Sequence, residues 1–451
     1  MNELTHDERN AARLFGLREN FQPLINIFLP SFKIAAGQII SITGDSGTGK
    51  TLFLEMIEKS ADQSVCNLNK IKYQVKKSAF QNIFKEVHSV DATLKLLGKT
   101  GLAEAGLILR PVKTYSAGEN FRFRIALAIA RKHKVLLIDE FGLQLDETLA
   151  INIAFSLRKT ADRQKITIFV ASCGDSYVRD LQPDLAFKLD ETGFRLYTRK
   201  SRHQRISYHR KLTVERQNVK IWQNFARWHY KSHHTGPTSD VFSLNLDGKP
   251  IGVIVYGYPS MFSSPRNTAT DNRYAFNQPH YLRRLNAEVR IIRRVVMAPK
   301  FRGVGLAATL VRESLEMLPP EIKHVECLTS MGEYCGFLQN AGFDFIKKTD
   351  TPKIVTKFSE ALTENAFDEK NSSSEKFLTW LKSLPEHNHQ KVRKLLNQMI
   401  KMRVTIKHPS LRKKELSETE NAEKFHSMIE EVLAARFTRP SYFIKYLRRI
   451  S

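Results

Sequence analysis

Apolar and polar positions follow three different rhythms along this chain. From about Phe28 to Tyr197, continuous apolar runs (GQIISIT from Gly37, KVLLID from Lys134, KITIFVAS from Lys165) are separated by stretches with helical spacing. Runs that are apolar without alternation are buried on both faces, and strands separated by helices make a parallel sheet covered on both sides. An α/β domain is expected over 28–198. In the next segment, Leu244 to Tyr258 reads as two strands joined at Asp247-Gly248, a strong hairpin signal. A strand through Arg293 to Ala298 then meets a glycine-bearing turn, followed by a helix with Leu306, Leu310, Val311, Leu315 and Leu318 on one side. A further strand, HVECLTS from His324, leads to a helix ending at Phe343. This predicts an α+β domain over 199–357. After the Ser-rich break at Asn371 to Ser374 the spacing is helical throughout: Phe377, Trp380, Leu381 and Leu384, then Val392, Leu395, Leu396 and Met399, then Phe425, Met428, Ile429 and Val432. A small basic helical region is expected over 358–451, with 1–27 as an N-terminal extension. No internal repeat is visible.

Length fits this division, since 451 residues at about 150 per domain suggest three domains. A hydrophobic share of 42% excludes a disordered chain. Charge changes the picture more. A net +25 suits a polyanionic partner, and nucleic acid, DNA or RNA, leads that class. The Lys and Arg residues concentrate from Arg195 to Lys231, where Glu215 is the only acid. The longest apolar runs fall far short of the roughly 18 residues a membrane span needs, so no membrane association is expected. The N-terminus lacks the basic-then-apolar order of a signal peptide, and Cys66, Cys173, Cys327 and Cys335 are scattered. A cytoplasmic, reducing setting follows, without a structural metal.

Two segments carry chemistry. Gly44-Asp45-Ser46-Gly47-Thr48-Gly49-Lys50-Thr51 lies between an apolar strand and a helix. Glycines there let backbone amides turn around phosphate oxygens at a helix N-terminus, Lys50 adds a point charge, and the Thr51 hydroxyl can ligate Mg²⁺. The strand ending Asp139-Glu140 brings two acids to the sheet edge, Asp139 for Mg²⁺ and Glu140 to polarise an attacking water.

In this order, with Phe80-Gln81-Asn82, Ser116-Ala117-Gly118-Glu119 and Leu145-Asp146 between or after these motifs, the segment resembles an ABC ATPase. The resemblance implies ATP and Mg²⁺, a head-to-tail self-dimer in which Ser116 and Gly118 meet the partner's nucleotide, and Gln81 as sensor of the γ-phosphate. One position departs from the family: Cys173 stands where a switch histidine is expected. Cysteine is a poor phosphate partner, so fast turnover is in doubt while binding is not.

The second segment runs from Arg293 to Ala307, where a strand enters a glycine turn and a helix. With the Asp247-Gly248 hairpin before it and Gly342-Phe343 after it, 206–350 resembles the GNAT superfamily of acyl-CoA N-acyltransferases. This implies acetyl-CoA or another acyl-CoA, with Arg302, Gly303, Val304, Gly305, Leu306 and Ala307 at the pyrophosphate and the strand with Val296 and Ala298 along the pantetheine arm. The family's usual tyrosine position holds Leu338, so Tyr334, one helical turn earlier, is the substitute general acid. Glu288 is the candidate base, with an ion pair to Arg290 or Arg284 as the ordinary alternative. The cluster Trp228-His229-Tyr230-Lys231-Ser232-His233-His234, beside a basic surface, is weakly similar to the GNAT branch around the phage Mom protein, which modifies adenine in DNA.

The expectation is therefore an α/β P-loop ABC-type ATPase domain, an α+β GNAT domain and a small C-terminal helical region. The function expected is an acyl-CoA-dependent N-acyltransferase acting on a nucleic-acid base or nucleic-acid-bound substrate, with the ATPase as clamp. A protein or small-molecule acetyltransferase, or a non-catalytic nucleic-acid-binding ABC regulator, are the alternatives.

Overall fold

The computed structural model describes Leu14 and residues 34–60, 65–190, 193–198, 205–229, 235–368, 373–407, 422–437 and 439–447. The chain divides into two units, Met1–Leu212 with Ala298–Leu306, and Thr213–Met297 with Ala307–Ser451.

Unit 1 holds a six-stranded sheet: β1 (Ile39–Thr43), β2 (Val65–Asn67), β3 (Val135–Ile138), β4 (Thr167–Ser172), β5 (Leu185–Asp190) and β6 (Gly193–Thr198), ordered β2-β3-β4-β1-β5-β6. All pairs are parallel except β5 with β6. Ile39, Ile40, Ile42, Leu136 and Leu137 are fully buried, as unalternated apolar runs require. Helices follow the strands and start on side-chain caps. Ser116 caps Ala117–Ala130 and Asp146 caps Glu147–Gln164, each satisfying amides that a helix start leaves unpaired. The first domain was expected to close at 198. Ser207 and Tyr208 also fold with it, through Ser207 N–H to Asp180 (2.7 Å) and Tyr208 OH to the fully buried Asn152 (2.5 Å).

Unit 2 holds a seven-stranded mixed sheet: β7 (Leu212–Arg216), β8 (Thr238–Leu246), β9 (Lys249–Gly257), β10 (Val289–Met297), β11 (His324–Thr329), β12 (Asp344–Lys348) and β13 (Ser441–Tyr446). Their order is β12-β13-β11-β10-β9-β8-β7. Asp247 and Gly248, both at positive φ (48° and 75°), make the predicted β8–β9 turn. The second domain was expected to end at 357, with only helices beyond. Helices Lys353–Glu364, Ser374–Lys382, Glu386–Lys407 and Ala422–Ala435 do follow, around a core of Phe358, Phe377, Val392, Met399 and Ile429. The chain then returns to the sheet: β13 lies antiparallel between β11 and β12, with Tyr442, Phe443 and Ile444 fully buried. Three large side chains at zero exposure make this strand integral to the sheet, and the helices an insertion before its last strand. Among the described residues no helix is long and apolar enough to cross a membrane.

Candidate functional site

In unit 1 the loop from Gly44 to Gly49 joins β1 to the helix Lys50–Ser60. Gly47 and Gly49 sit at φ 86° and 87°, a conformation that lets successive amides face a common anion. Lys50 is buried, and its Nζ donates to the carbonyls of Gly44 (2.9 Å) and Asp45 (2.5 Å), while Thr48 Oγ1 donates to Asp45 O (2.9 Å). A buried ammonium held, among the described residues, by the carbonyls of its own loop has capacity for a stronger, anionic acceptor. Across the sheet edge, the Thr51 hydroxyl donates to Asp139 Oδ2 at 2.8 Å. A hydroxyl and a carboxylate side by side beside a phosphate loop are the hard oxygen donors Mg²⁺ takes, so the residues present fit a Mg²⁺-bound nucleotide. Glu140, exposed and at φ 53°, has its N–H on Asp139 Oδ1 (2.9 Å). The order β3-β4-β1 puts the end of β4 between the two motifs, so exposed Cys173, just past β4, lies at the edge shared by the phosphate loop and Glu140.

Ser116 is exposed at the start of its helix. Its Oγ accepts from Glu119 N–H (3.4 Å), while the Glu119 carboxylate accepts from Ser116 N–H (2.9 Å) and pairs with Arg110. Gly118 is fixed by packing, since a Cβ there would meet Leu149 Cδ2 at 2.8 Å.

Gln81 does not lie free in a loop. It occupies the third position of the helix Ala79–Val87, where its side-chain carbonyl accepts from Ser78 N–H (3.2 Å) and its own N–H donates to Ser78 Oγ (3.1 Å). The capping box thus holds the exposed Gln81 side chain on Ser78. The glutamine with an exposed side chain in the preceding loop is Gln74. Its backbone N–H and C=O are both held by the buried Asn82 side chain, at 3.0 and 3.1 Å. Two glutamines seven positions apart leave the choice open in sequence, and the Ser78-x-x-Gln81 capping pattern is the signal that could have decided it.

Residues 29–141 match the ABC transporter family. This segment is an ABC transporter ATPase domain. Among curated relatives, the β-(1→2)glucan export ATP-binding/permease protein NdvA of Bartonella bacilliformis is 27% identical over 198 residues, 37% of this chain and 33% of that protein. The phosphonates import ATP-binding protein PhnC of Rhizobium meliloti is 28% identical over 200 residues, 36% of this chain and 70% of its own length. The chain thus spans about a third of the first curated relatives it matches. Among solved structures, cbiO1 from Clostridium perfringens, part of the ABC transporter complex cbiONQ, is 22% identical over 37% of this chain and 79% of its own, with a TM-score of 0.32.

The ATPase unit also holds the turn Ala298–Leu306. Arg122, on the helix that Ser116 caps, is 4% exposed and donates to the carbonyls of Pro299 (3.3 Å), Lys300 (3.5 Å) and Arg302 (3.3 Å). Asn152 donates to Lys300 O (2.9 Å) and Lys159 to Val304 O (2.9 Å). Burial, then the neighbouring Arg302, lowers the Arg122 pKa to about 10, and burial lowers Lys159 to about 8. Gly101 and Gly303, both at positive φ, approach so closely that a Cβ on either would lie 3.2 Å from the other's Cα. The Arg302 guanidinium, expected at a pyrophosphate, instead pairs with Glu104. Among the expected coenzyme contacts in this turn, that leaves the glycines and the first amides of the helix Leu306–Glu316, unpaired within a helix by geometry.

In unit 2, β10 pairs with β11 only from Val289 to Ile292, yet continues with β9 to Met297. The sheet therefore opens between β10 and β11 beyond Ile292 and Cys327. Val296 turns its side chain into a core with Trp222, Val241 and Val253, and Ala298 begins the turn.

Glu288 is not poised as a base. It ends the helix Tyr281–Glu288 and accepts from Arg273 Nε (3.0 Å) and Nη2 (2.9 Å), Tyr274 OH (2.8 Å) and Lys323 Nζ (2.9 Å). Burial alone would raise its pKa, but the hydrogen bonds from Arg273, Lys323 and Tyr274 bring it down to about 2. A carboxylate with its lone pairs so occupied is a poor proton acceptor. The expected alternative partners are engaged elsewhere: Arg290 pairs with Asp240 and Arg284 donates to Arg273 O. Because its folded pKa lies below the ordinary 4.5, Glu288 contributes stability fully above that value and loses it as pH falls toward 2. Glu288→Gln should flatten the acid limb of a stability-versus-pH curve below about pH 4.5; an unchanged limb would show the network contributes nothing there.

Tyr334 is half-buried in the short helix Gly332–Cys335 after β11, with Leu338 fully buried beyond it. His229 closes the described part of the histidine cluster; residues 230–234 lie outside the described residues, as do 1–13 and 15–33, and Arg202. Sequence reasoning missed one polar cluster entirely: Arg266 and Glu326, each 1% exposed, pair at 3.1 Å, with Tyr442 OH on the same Glu326 oxygen at 2.7 Å.

Proposed function

We propose that the chain is an ATP-hydrolysing cassette joined to an acyl-CoA-dependent N-acyltransferase acting on a nucleic-acid base or a nucleic-acid-bound substrate, with the cassette dimerising as an ATP-held clamp. The observation that carries the transferase half is, in unit 2, the opening between β10 and β11 beyond Ile292 and Cys327; unit 1 separately holds the glycine turn Gly303–Gly305 that the resemblance assigns to the coenzyme. Beyond its pairing with β11, β10 runs on from Arg293 to Met297 as extended backbone along which an amide-bearing arm would lie, and the helix start offers amides to a diphosphate. An acyl-CoA supplies the activated thioester. Glu288 has no part as base in this reading, and Tyr334 remains the candidate acid by position alone.

In the cassette, bound ATP with Mg²⁺ supplies the phosphoryl group that passes to water. Lys50 and the loop amides neutralise phosphate charge, Thr51 and Asp139 hold the cation, and Glu140 orients the attacking water. Gln74 replaces Gln81 as the glutamine available to sense the γ-phosphate, and Cys173 slows turnover for want of a strong hydrogen-bond donor. Ser116 and the helix start behind it face the partner's nucleotide in the dimer. The net +25 favours a nucleic-acid partner.

The test of the transferase half is coenzyme binding. Gly305 sits at φ 97° with Lys159 Nζ 3.4 Å from where a Cβ would lie. Gly305→Glu should abolish acetyl-CoA binding by calorimetry and leave ATP binding unchanged, because a side chain strains the turn and its carboxylate repels the diphosphate. An unaltered protein that binds no acetyl-CoA at about millimolar concentration, with or without ATP and nucleic acid, overturns it. A second reading, an ATPase subunit serving a membrane permease, is favoured by the transporter relatives. It predicts ATP turnover that responds to a membrane partner and ignores nucleic acid.

A further inference from the structure

The connection from Gly257 to Val289, between β9 and β10 of unit 2, is anchored at two places. Arg266 is buried on Glu326 and donates to Ser260 O (2.6 Å), and Glu288 gathers Arg273, Tyr274 and Lys323. Between the anchors, Tyr274, Leu285 and Val289 form their own small core. A segment so fixed nevertheless leaves Phe262 65% and Phe276 69% exposed. The rings are clustered: Phe262 lies 5.8 Å from Phe276, and Phe276 lies 5.5 Å from Tyr281. Large aromatic rings held in water on a rigid base mark a binding face.

Charge identifies the occupant. Arg283 and Arg284 follow Tyr281 on the same helix, and of the two acids in this connection, Asp271 and Glu288, the second is already neutralised by its partners, so the cations outnumber the remaining acid. A second copy of a chain carrying +25 would meet like charge at such a face. A polyanion with flat apolar faces would not, and stacking on aromatic rings beside cations is how unpaired bases are held. The geometry points to Phe262, Phe276 and Tyr281 as a stacking platform for unpaired bases of single-stranded nucleic acid, with Arg283 and Arg284 on its phosphates. This rests on the nucleic-acid part of the function proposed above and gives it a location and a strand preference.

The experiment is fluorescence anisotropy of the full chain with a labelled oligothymidine of about 20 nucleotides and a duplex of the same length, over about 50 to 200 mM salt. Single strand should bind more tightly than duplex. The F262A/F276A double variant should lose about tenfold or more in single-strand affinity with its salt slope unchanged, because stacking releases no counterions. F262Y/F276Y should retain binding, and R283A/R284A should lower the slope by about 0.7 per lost phosphate contact. Both rings being exposed, the urea midpoint followed by tryptophan fluorescence should be unaffected and serves as the folding control, since Trp222, Trp228 and Trp380 all lie in unit 2. Single-strand binding that ignores the loss of both rings overturns the platform while leaving the nucleic-acid reading standing. No binding of either oligonucleotide by the unaltered chain overturns both. A change in sedimentation with F262A/F276A and none in binding assigns the face to self-association, which also overturns the platform.

Discussion

Lys50→Ala should reduce ATP affinity about 100-fold or more, whereas Glu140→Gln should keep affinity and slow hydrolysis about 100-fold. The difference follows from where each group stands. Lys50 is buried under the loop, with its ammonium on the Gly44 and Asp45 carbonyls. Removing it takes away the charge that a phosphate would meet in both ground and transition states. Glu140 is exposed past the end of β3, with its backbone N–H on Asp139 Oδ1 and its C=O accepting from Leu143 N–H. Its carboxylate is therefore free to act on water without holding the nucleotide. Equilibrium binding of a fluorescent ATP analogue and phosphate release separate the two effects, and an ATP-held dimer of longer life in Glu140→Gln would be visible by light scattering. Unchanged affinity in Lys50→Ala would remove the phosphate-loop assignment.

The second large effect lies in the core of unit 2. Glu326→Ala should cost that unit about 3–5 kcal/mol, because it leaves the Arg266 guanidinium at 1% exposure without a counter-charge. Tyr442 OH loses its acceptor as well. Glu326→Gln keeps the shape and an acceptor for Tyr442 and should cost less. The apolar pair Arg266→Met with Glu326→Leu should come close to unaltered stability, since the burial of both charges offsets most of their attraction. Among the described residues, Arg266 Nη1 already lacks a hydrogen-bond partner, which limits what the native pair is worth. Urea unfolding followed by tryptophan fluorescence, with ATP binding as a check on unit 1, measures all three variants. A Glu326→Ala protein as stable as the parent would mean the cluster is not closed to water.

The phosphate loop, Asp139-Glu140 and the β8–β9 hairpin were legible in the sequence, because each depends on residues within a few positions: glycines at positive φ, a flanking strand and helix, an Asp-Gly turn. Helix stripes over the C-terminal segment were legible for the same reason, with Phe377, Val392 and Ile429 buried as the spacing requires. The Ser78-x-x-Gln81 capping box is local in the same way, since its two side chains and the amides they bond lie within one helical turn.

What tertiary structure alone decided is non-local. Whether Tyr442, Phe443 and Ile444 end a helical tail or fill a sheet depends on open edges of β11 and β12, about a hundred residues earlier in the chain. Arg266, Glu326 and Tyr442 have no spacing that announces a cluster, because burial and not sequence distance brings them together. The same is true of Glu288, whose partners Arg273 and Lys323 lie on either side in sequence while the nearer Arg284 and Arg290 bond elsewhere. Sequence periodicity sets which face of an element is apolar; which charges meet once those faces are buried is set by the packing, and so the nucleotide loop could be read in advance and the polar networks could not.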